Sequence, residues 1–410
     1  MATRSTTQQA PNYIVPFAIV TGLFCIFGFL TNLNSNLSAK LEDIFQLSHA
    51  WSNLITSSWF FAYLVFSVPS GKLIEKVGYK RTMVISLFIM VVGALLFFPA
   101  ASLAKFPFFL TASFVLAAGV CALQTSANPY VSILGPEHSA PARLTLAQAF
   151  NSLGTALAPI IVGTFILTNT SKTASEQEVA KSVQGPYIAI ALSLLVLAFI
   201  VMAIPLPAIT SSSESTATAT TGRSIWSYRH TVLAMVGIFF YVGLEVALFA
   251  NAIQFFNTQG ITNKETVGLL ASFYPLAMMI GRFAGTFVMK VIKAERLLVI
   301  LGIFGVALLI VGMASTGTIA VWCLILCGLA NSIMYPTIFA LGIAELGPLT
   351  SKGSGVITLG NFGGAVIPPL FGLMADKMNY QHAFLLPIVG YFFIVYYGFS
   401  GYRPRRKAAA

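Results

Sequence analysis

Gly154-Thr-Ala-Leu-Ala-Pro159-Ile-Ile-Val-Gly163 recurs 209 residues later as Gly363-Gly-Ala-Val-Ile-Pro368-Pro-Leu-Phe-Gly372. A second pair, Asn128-Pro129-Tyr-Val-Ser-Ile-Leu-Gly135 and Tyr335-Pro336-Thr-Ile-Phe-Ala-Leu-Gly342, is offset by 207 residues. Glycine and proline in this register inside apolar sequence mark two copies of one helical unit. Apolar segments fall near 13–37, 50–71, 82–103, 107–135, 143–169 and 186–207, then near 231–256, 266–289, 297–316, 318–346, 353–375 and 382–402. Six segments separate the copies, so both run in the same direction, as in a parallel repeat with a central site between two rocking halves.

Composition demands lipid around these segments. The chain of 410 residues is 57% hydrophobic and 9% charged, against about 25% charged in soluble domains. Spans of about 20 apolar residues with short loops fill this length with about twelve helices, leaving no room for a soluble catalytic domain. The fold class is therefore an all-α membrane protein of twelve transmembrane helices in two six-helix parallel-repeat halves. The polar stretch 209–224, rich in Ser and Thr, reads as a flexible linker. It divides the chain into an N-terminal half (1–208), a cytoplasmic linker (209–228) and a C-terminal half (229–410). The first apolar run is too long for a cleaved leader and continues into further spans.

Basic residues orient the bundle. With both termini in the cytoplasm, 17 of the 23 Lys and Arg residues lie inside, Arg282 among them, as the excess of positive charge in cytoplasmic loops requires. The net charge of +11 follows from that bias and points to no nucleic acid. The four cysteines fall in apolar runs and read as small buried side chains. The four histidines, His49, His138, His230 and His382, read as loop residues. No Ser/His or paired-carboxylate constellation suggests an enzyme.

Polar side chains at membrane depth are costly unless they face a cavity or one another. Asn32, Ser35 and Asn36 share one face of the first span. Gln124 and Asn128 stand a turn apart in the fourth, where Pro129 frees a carbonyl. Gln148 and Asn151 share a face of the fifth, and Asn331 and Asn361 follow in the second half. Amides both donate and accept, which suits an uncharged polyhydroxylated substrate. Trp59, Tyr63 and Tyr335 offer rings for the apolar face of a pyranose. Each amide reads alternatively as a bridge between helices.

Glu245 is the one acid well inside a span, and that span carries no Lys or Arg beside it. An ionised, unpartnered carboxylate there would cost several kcal/mol, so Glu245 is protonated, paired or bound to a cation. Cation coupling is the functional reading; a structural acid bonded to a neighbouring helix is the other.

The loop Gly71-Lys-Leu-Ile-Glu75-Lys-Val-Gly78-Tyr-Lys80-Arg81 resembles the conserved loop motif of the major facilitator superfamily, with Glu in place of its usual Asp. A degraded copy begins at Gly281-Arg282-Phe-Ala-Gly285. Gly71, Glu75, Gly78, Arg81 and Arg282 are read as an inner gate, in which glycines admit close helix approach.

Further stretches narrow the likeness: Asn32-Leu-Asn34, Gln124-Thr-Ser-Ala-Asn128-Pro129-Tyr, Arg143-Leu-Thr-Leu-Ala-Gln148-Ala-Phe-Asn151, Tyr241-Val-Gly-Leu-Glu245 and Tyr335-Pro336-Thr-Ile-Phe339. They resemble the fucose:proton symporter family, in particular its glucose/galactose branch. The likeness implies secondary active uptake of a neutral hexose across a bacterial inner membrane by a monomer that needs no cofactor. It also implies acids at the positions of Ser35 and Gln124, neither of which carries a proton here. The branch implies sodium coupling, here read at Glu245; sodium prefers oxygen ligands, and Asn32 and Ser35 of the first span are the residues expected to complete that metal site. Proton symport and uncoupled passage of a sugar or another neutral solute remain the alternatives.

Overall fold

The computed structural model describes residues 13–45, 49–103, 105–165, 184–204, 207 and 224–404, and side chains over most of these. The described residues form helices joined by short turns, with twelve spans. In the first half they are α1 (Ile14–Phe45), α2 and α3 (within the run His49–Leu103), α4 (Phe106–Ile133), α5 (Ala140–Phe165) and α6 (Gln184–Ala203). In the second they are α7 (Arg229–Ala250), α8 (Lys264–Val288), α9 (Ala294–Ala314), α10 (Thr318–Asn331 and Met334–Gly342), α11 (Thr350–Leu359 and Gly363–Lys377) and α12 (Leu385–Tyr396). Residues 209–223 of the sequence-predicted linker (209–228) lie outside the described residues.

Gly78 separates α2 from α3. Its φ of 84° and ψ of 167° break the helix in a region that side-chain-bearing residues avoid. That is a turn-making role for a glycine the sequence assigned to the gate.

The halves pack alike. In the first, α1 lies on α5, α4 on α2 and α3, and α6 against the α2–α3 run; in the second, α7 lies on α11, α10 on α8 and α9, and α12 on α9. The repeated glycines make this possible. A methyl group on Gly154 would overlap the carbonyl of Cys25 in α1, and one on Gly363 would overlap that of Phe239 in α7. Residues 209 apart therefore seat the same helix pair in each half. Lipid-facing flanks carry Val92, Val196, Phe199, Ile303 and Phe392, all exposed and apolar, as an exterior bathed in hydrocarbon requires.

The halves meet along two repeat-related seams, α2 and α4 against α11, and α8 and α10 against α5. In the first, a methyl on Gly71 would stand 2.8 Å from Ser351 O and 3.3 Å from Gly355 Cα. Gly355 returns the approach, its added methyl lying 2.8 Å from Ser67 O. Tyr79 OH receives the Ser351 hydroxyl at 3.3 Å. Lys352 pairs with Glu75 at 3.1 Å, both partly exposed, an ion pair of the kind that contributes about 0–1 kcal/mol. The second seam holds Phe150 against Phe283 and Thr145 beside Met289. Beyond this contact opens a cavity of roughly 1710 Å³, reached by Glu75, Lys80, Arg81, Glu137 and Lys293.

Candidate functional site

Proline lies in both helices that build the centre. Pro129 sits within the continuous α4 just after Asn128, and α10 breaks between Asn331 and Met334, ahead of Tyr335 and Pro336. Asn128 and Tyr335 meet across the halves: Asn128 Nδ2 donates to Tyr335 OH at 3.2 Å. Asn361 reaches the same phenol from α11, and Tyr63 approaches it from α2. Tyr241 lies against Tyr335, with ring centroids 6.1 Å apart. Residues from α2, α4, α7, α10 and α11 thus share one interior wall.

Several polar atoms on this wall, and on α5 where it packs against α4 and α10, are unsatisfied. Gln124 Oε1, Asn128 Oδ1, Gln148 Nε2 and Thr358 Oγ1 are buried without a hydrogen-bond partner among the described residues. Buried polar groups are nearly always paired in native proteins, and leaving one unpaired costs about 1–3 kcal/mol. Acceptors and a donor held ready in this way match a ligand that both donates and accepts, such as one carrying hydroxyls.

Other sequence-predicted amides are already committed. Asn151 Nδ2 donates to Phe24 O of α1 at 3.0 Å, bridging two helices of one half. Asn331 donates to Tyr274 OH at 2.8 Å and accepts from Tyr391 OH at 2.7 Å, so both ends of its amide are engaged within the second half. Trp59 and Tyr63 are buried in α2. Asn32 is half-buried in α1, and the side chain of Ser35 lies outside those described.

The charged centre differs from the sequence expectation. Arg282, counted among the inner loop charges and assigned to the gate, is 6% exposed inside α8. Its Nη1 donates to Gln148 O at 3.1 Å and Ser152 Oγ at 2.6 Å, both on α5, and its Nε donates to Ser332 O at 3.2 Å. The same guanidinium acts electrostatically on Glu245, and Tyr241 stands one turn before that carboxylate. Glu245 sits deep in the bundle yet retains some accessible surface. No basic residue shares its span, and the positive charge that acts on it stands on the next helix, bonded there to α5 and Ser332. His230 is corrected too. It is the second residue of α7, is 2% exposed, and pairs through Nε2 with Ala344 O at 3.0 Å.

The residues that sequence reasoning missed are Tyr241, Ser354, Thr358 and Lys352. Ser354, Thr358 and Asn361 recur at helical spacing along α11, a polar face that a periodicity count of that segment would have exposed.

A centre of buried polar side chains walled by two repeat-related halves, closed at one end by interlocking helices, is the architecture of a membrane transporter. The Major Facilitator Superfamily model matches residues 19–367. The glucose/galactose transporter of Brucella abortus is 40% identical over 398 residues, 96% of each chain. The L-fucose-proton symporter of Escherichia coli K12 is 33% identical over 404 residues, covering 92% of this chain and 91% of that one. The crystal structure of the transporter FucP in the outward conformation superposes with a TM-score of 0.85 at 31% identity, over 94% of this chain and 98% of that one. The chain belongs to the Major Facilitator Superfamily and, within it, to the family of the fucose:proton symporters and glucose/galactose transporters.

Proposed function

We propose that this protein is a proton-coupled symporter of a neutral hexose-type sugar. It works by alternating access as a monomer in a bacterial inner membrane, with both termini in the cytoplasm. The observation that carries the sugar is the set of buried, unpartnered polar atoms at Gln124, Asn128, Gln148 and Thr358. Aromatic rings at Tyr63, Tyr241 and Tyr335 stand beside the Asn128–Tyr335 bond. The names of the relatives, glucose/galactose transporter and L-fucose-proton symporter, point to the same substrate class.

Glu245 is the carrier of the coupling ion. The sodium site expected from the resemblance gains nothing from its surroundings, because a guanidinium already supplies positive charge there. The α1 helix that was to complete that site with Asn32 and Ser35 packs mainly on α5. Hard cations require several oxygen ligands at once. A proton needs only the carboxylate itself, and the relatives whose names state an ion are proton symporters. Protonation of Glu245 releases Arg282 to its α5 partners; ionisation draws it back.

Sugar binding to the purified protein tests the site. Gln124→Ala is expected to weaken hexose affinity about tenfold or more, since a hydrogen bond to a buried amide is lost. Asn151→Ala is expected to lower thermal stability while changing affinity less than about threefold, because its amide serves α1. Equal affinities for Gln124→Ala and the wild type would remove the polar wall from the binding site.

A further inference from the structure

Pro129, inside α4, and Pro336, in the first turn of the second α10 segment, are related by the internal repeat and each lack a backbone amide hydrogen. Each therefore strips the carbonyl four residues earlier of its intrahelical donor. Those carbonyls belong to Thr125 and Ser332. Both are taken by groups that join the two halves. Ser354 Oγ of α11 donates to Thr125 O at 2.6 Å, across the first seam. Arg282 Nε donates to Ser332 O at 3.2 Å while its Nη1 holds Gln148 O and Ser152 Oγ across the second.

Ser354 breaks with the habit of its neighbours. A buried helical hydroxyl ordinarily returns to the carbonyl one turn back, as Ser70, Thr125, Ser132, Thr145 and Thr286 do here. Ser354 instead reaches the other half. It sits beside Gly355, whose backbone packs on α2 at Gly71, so a close approach of the halves holds its hydroxyl against the freed carbonyl.

We propose that Ser354 and Arg282 are positioning residues that hold the loop end of the bundle closed by engaging proline-freed carbonyls, one catch in each repeat. Each catch adjoins the ligand wall. Thr125 follows Gln124 and precedes Asn128 by three residues; Ser332 follows Asn331 and precedes Tyr335 by three. A ligand that draws on Asn128 or Tyr335 displaces the segment carrying the freed carbonyl, and so loosens or seats the catch. A carbonyl already bonded within its helix could not be exchanged this way without unwinding a turn. The idea depends on the proposed substrate only for what triggers the catch, and its test is read without ligand.

The test uses full-length protein in lipid nanodiscs, spin-labelled through His138→Cys and Lys293→Cys, exposed residues on opposite halves at the mouth of the loop-end cavity. Electron–electron distance distributions report how often that end is open. Ser354→Ala is expected to raise the widely separated population about three- to tenfold, the effect of one hydrogen bond, and Ser354→Thr to restore it. Pro129→Ala, which gives Thr125 O a donor in its own helix, is expected to shift the distribution the same way. The double variant is expected to shift it no further than either alone. Wild-type distances in Ser354→Ala, or additive shifts of the two substitutions, would overturn the proposal. Should Ser354→Ala fail to fold, Pro129→Ala decides alone, and an unshifted distribution there overturns it equally. Alanine favours the helix at that position, so this variant folds.

Discussion

Glu245→Gln is expected to abolish uphill sugar accumulation while leaving sugar-for-sugar exchange within about threefold of wild type, a change that costs well under 1.4 kcal/mol. Glutamine preserves the size of the side chain but neither takes up nor releases a proton. With one proton per sugar, a gradient of one pH unit supports about tenfold accumulation, the free energy of a tenfold ratio being about 1.4 kcal/mol. The variant should equilibrate its substrate and go no further. Exchange persists because it requires the halves to rock with ligand bound, not a titration of the empty carrier. The buried guanidinium of Arg282 keeps its hydrogen bonds to Gln148 O, Ser152 Oγ and Ser332 O, so it is not stranded by the substitution. Concentrative uptake by Glu245→Gln in liposomes, equal to wild type, would remove Glu245 from the coupling mechanism.

Gly71→Leu is expected to reduce the turnover of net uptake by up to about a hundredfold, with Gly71→Ala between it and wild type. A single added carbon already meets Ser351 O at 2.8 Å and Gly355 Cα at 3.3 Å. These are backbone atoms that cannot rotate aside. Overpacking a tight contact costs about 1–3 kcal/mol, and here the cost falls only on the state in which α2 and α11 touch. The closed loop end is therefore depopulated by up to about two orders of magnitude while the separated halves are untouched. The measurement is the initial uptake rate together with the distance between His138→Cys and Lys293→Cys labels. Wild-type rates in Gly71→Leu would mean that this glycine contact is not part of the transport cycle.

Much of the scaffold was legible because lipid leaves a chain few choices. The register of Gly154 with Gly363, and of Pro129 with Pro336, identified the repeat, and the close packing of those glycines on α1 and α7 gives the physical cause. The polar wall was legible as residue types: Gln124, Asn128 and Gln148 are amides in spans, and they carry unsatisfied atoms in the structure. The same reasoning did not separate them from Asn151 and Asn331, whose partners are the Phe24 carbonyl and two tyrosine hydroxyls on other helices. Periodicity reports the face of a helix and says nothing of which neighbour occupies it. Arg282 was read as a gating residue but misplaced among the loop charges, for a related reason. Its Gly-Arg-Phe-Ala-Gly context copies the loop motif of the first half, yet α8 runs on to Val288 and carries the charge inside. Ser354 was invisible because its acceptor lies 229 residues away and exists only where a proline has removed a donor.

The central claim is that a proton, carried at Glu245, drives the sugar. It is tested most directly by hexose uptake into proteoliposomes under an inward proton gradient with sodium absent, set against an inward sodium gradient at equal pH on both sides. The expected result is accumulation above equilibrium in the first case, together with alkalinisation of the external medium when sugar is added, and simple equilibration in the second. Accumulation driven by sodium alone, with no response to the pH gradient, would contradict it.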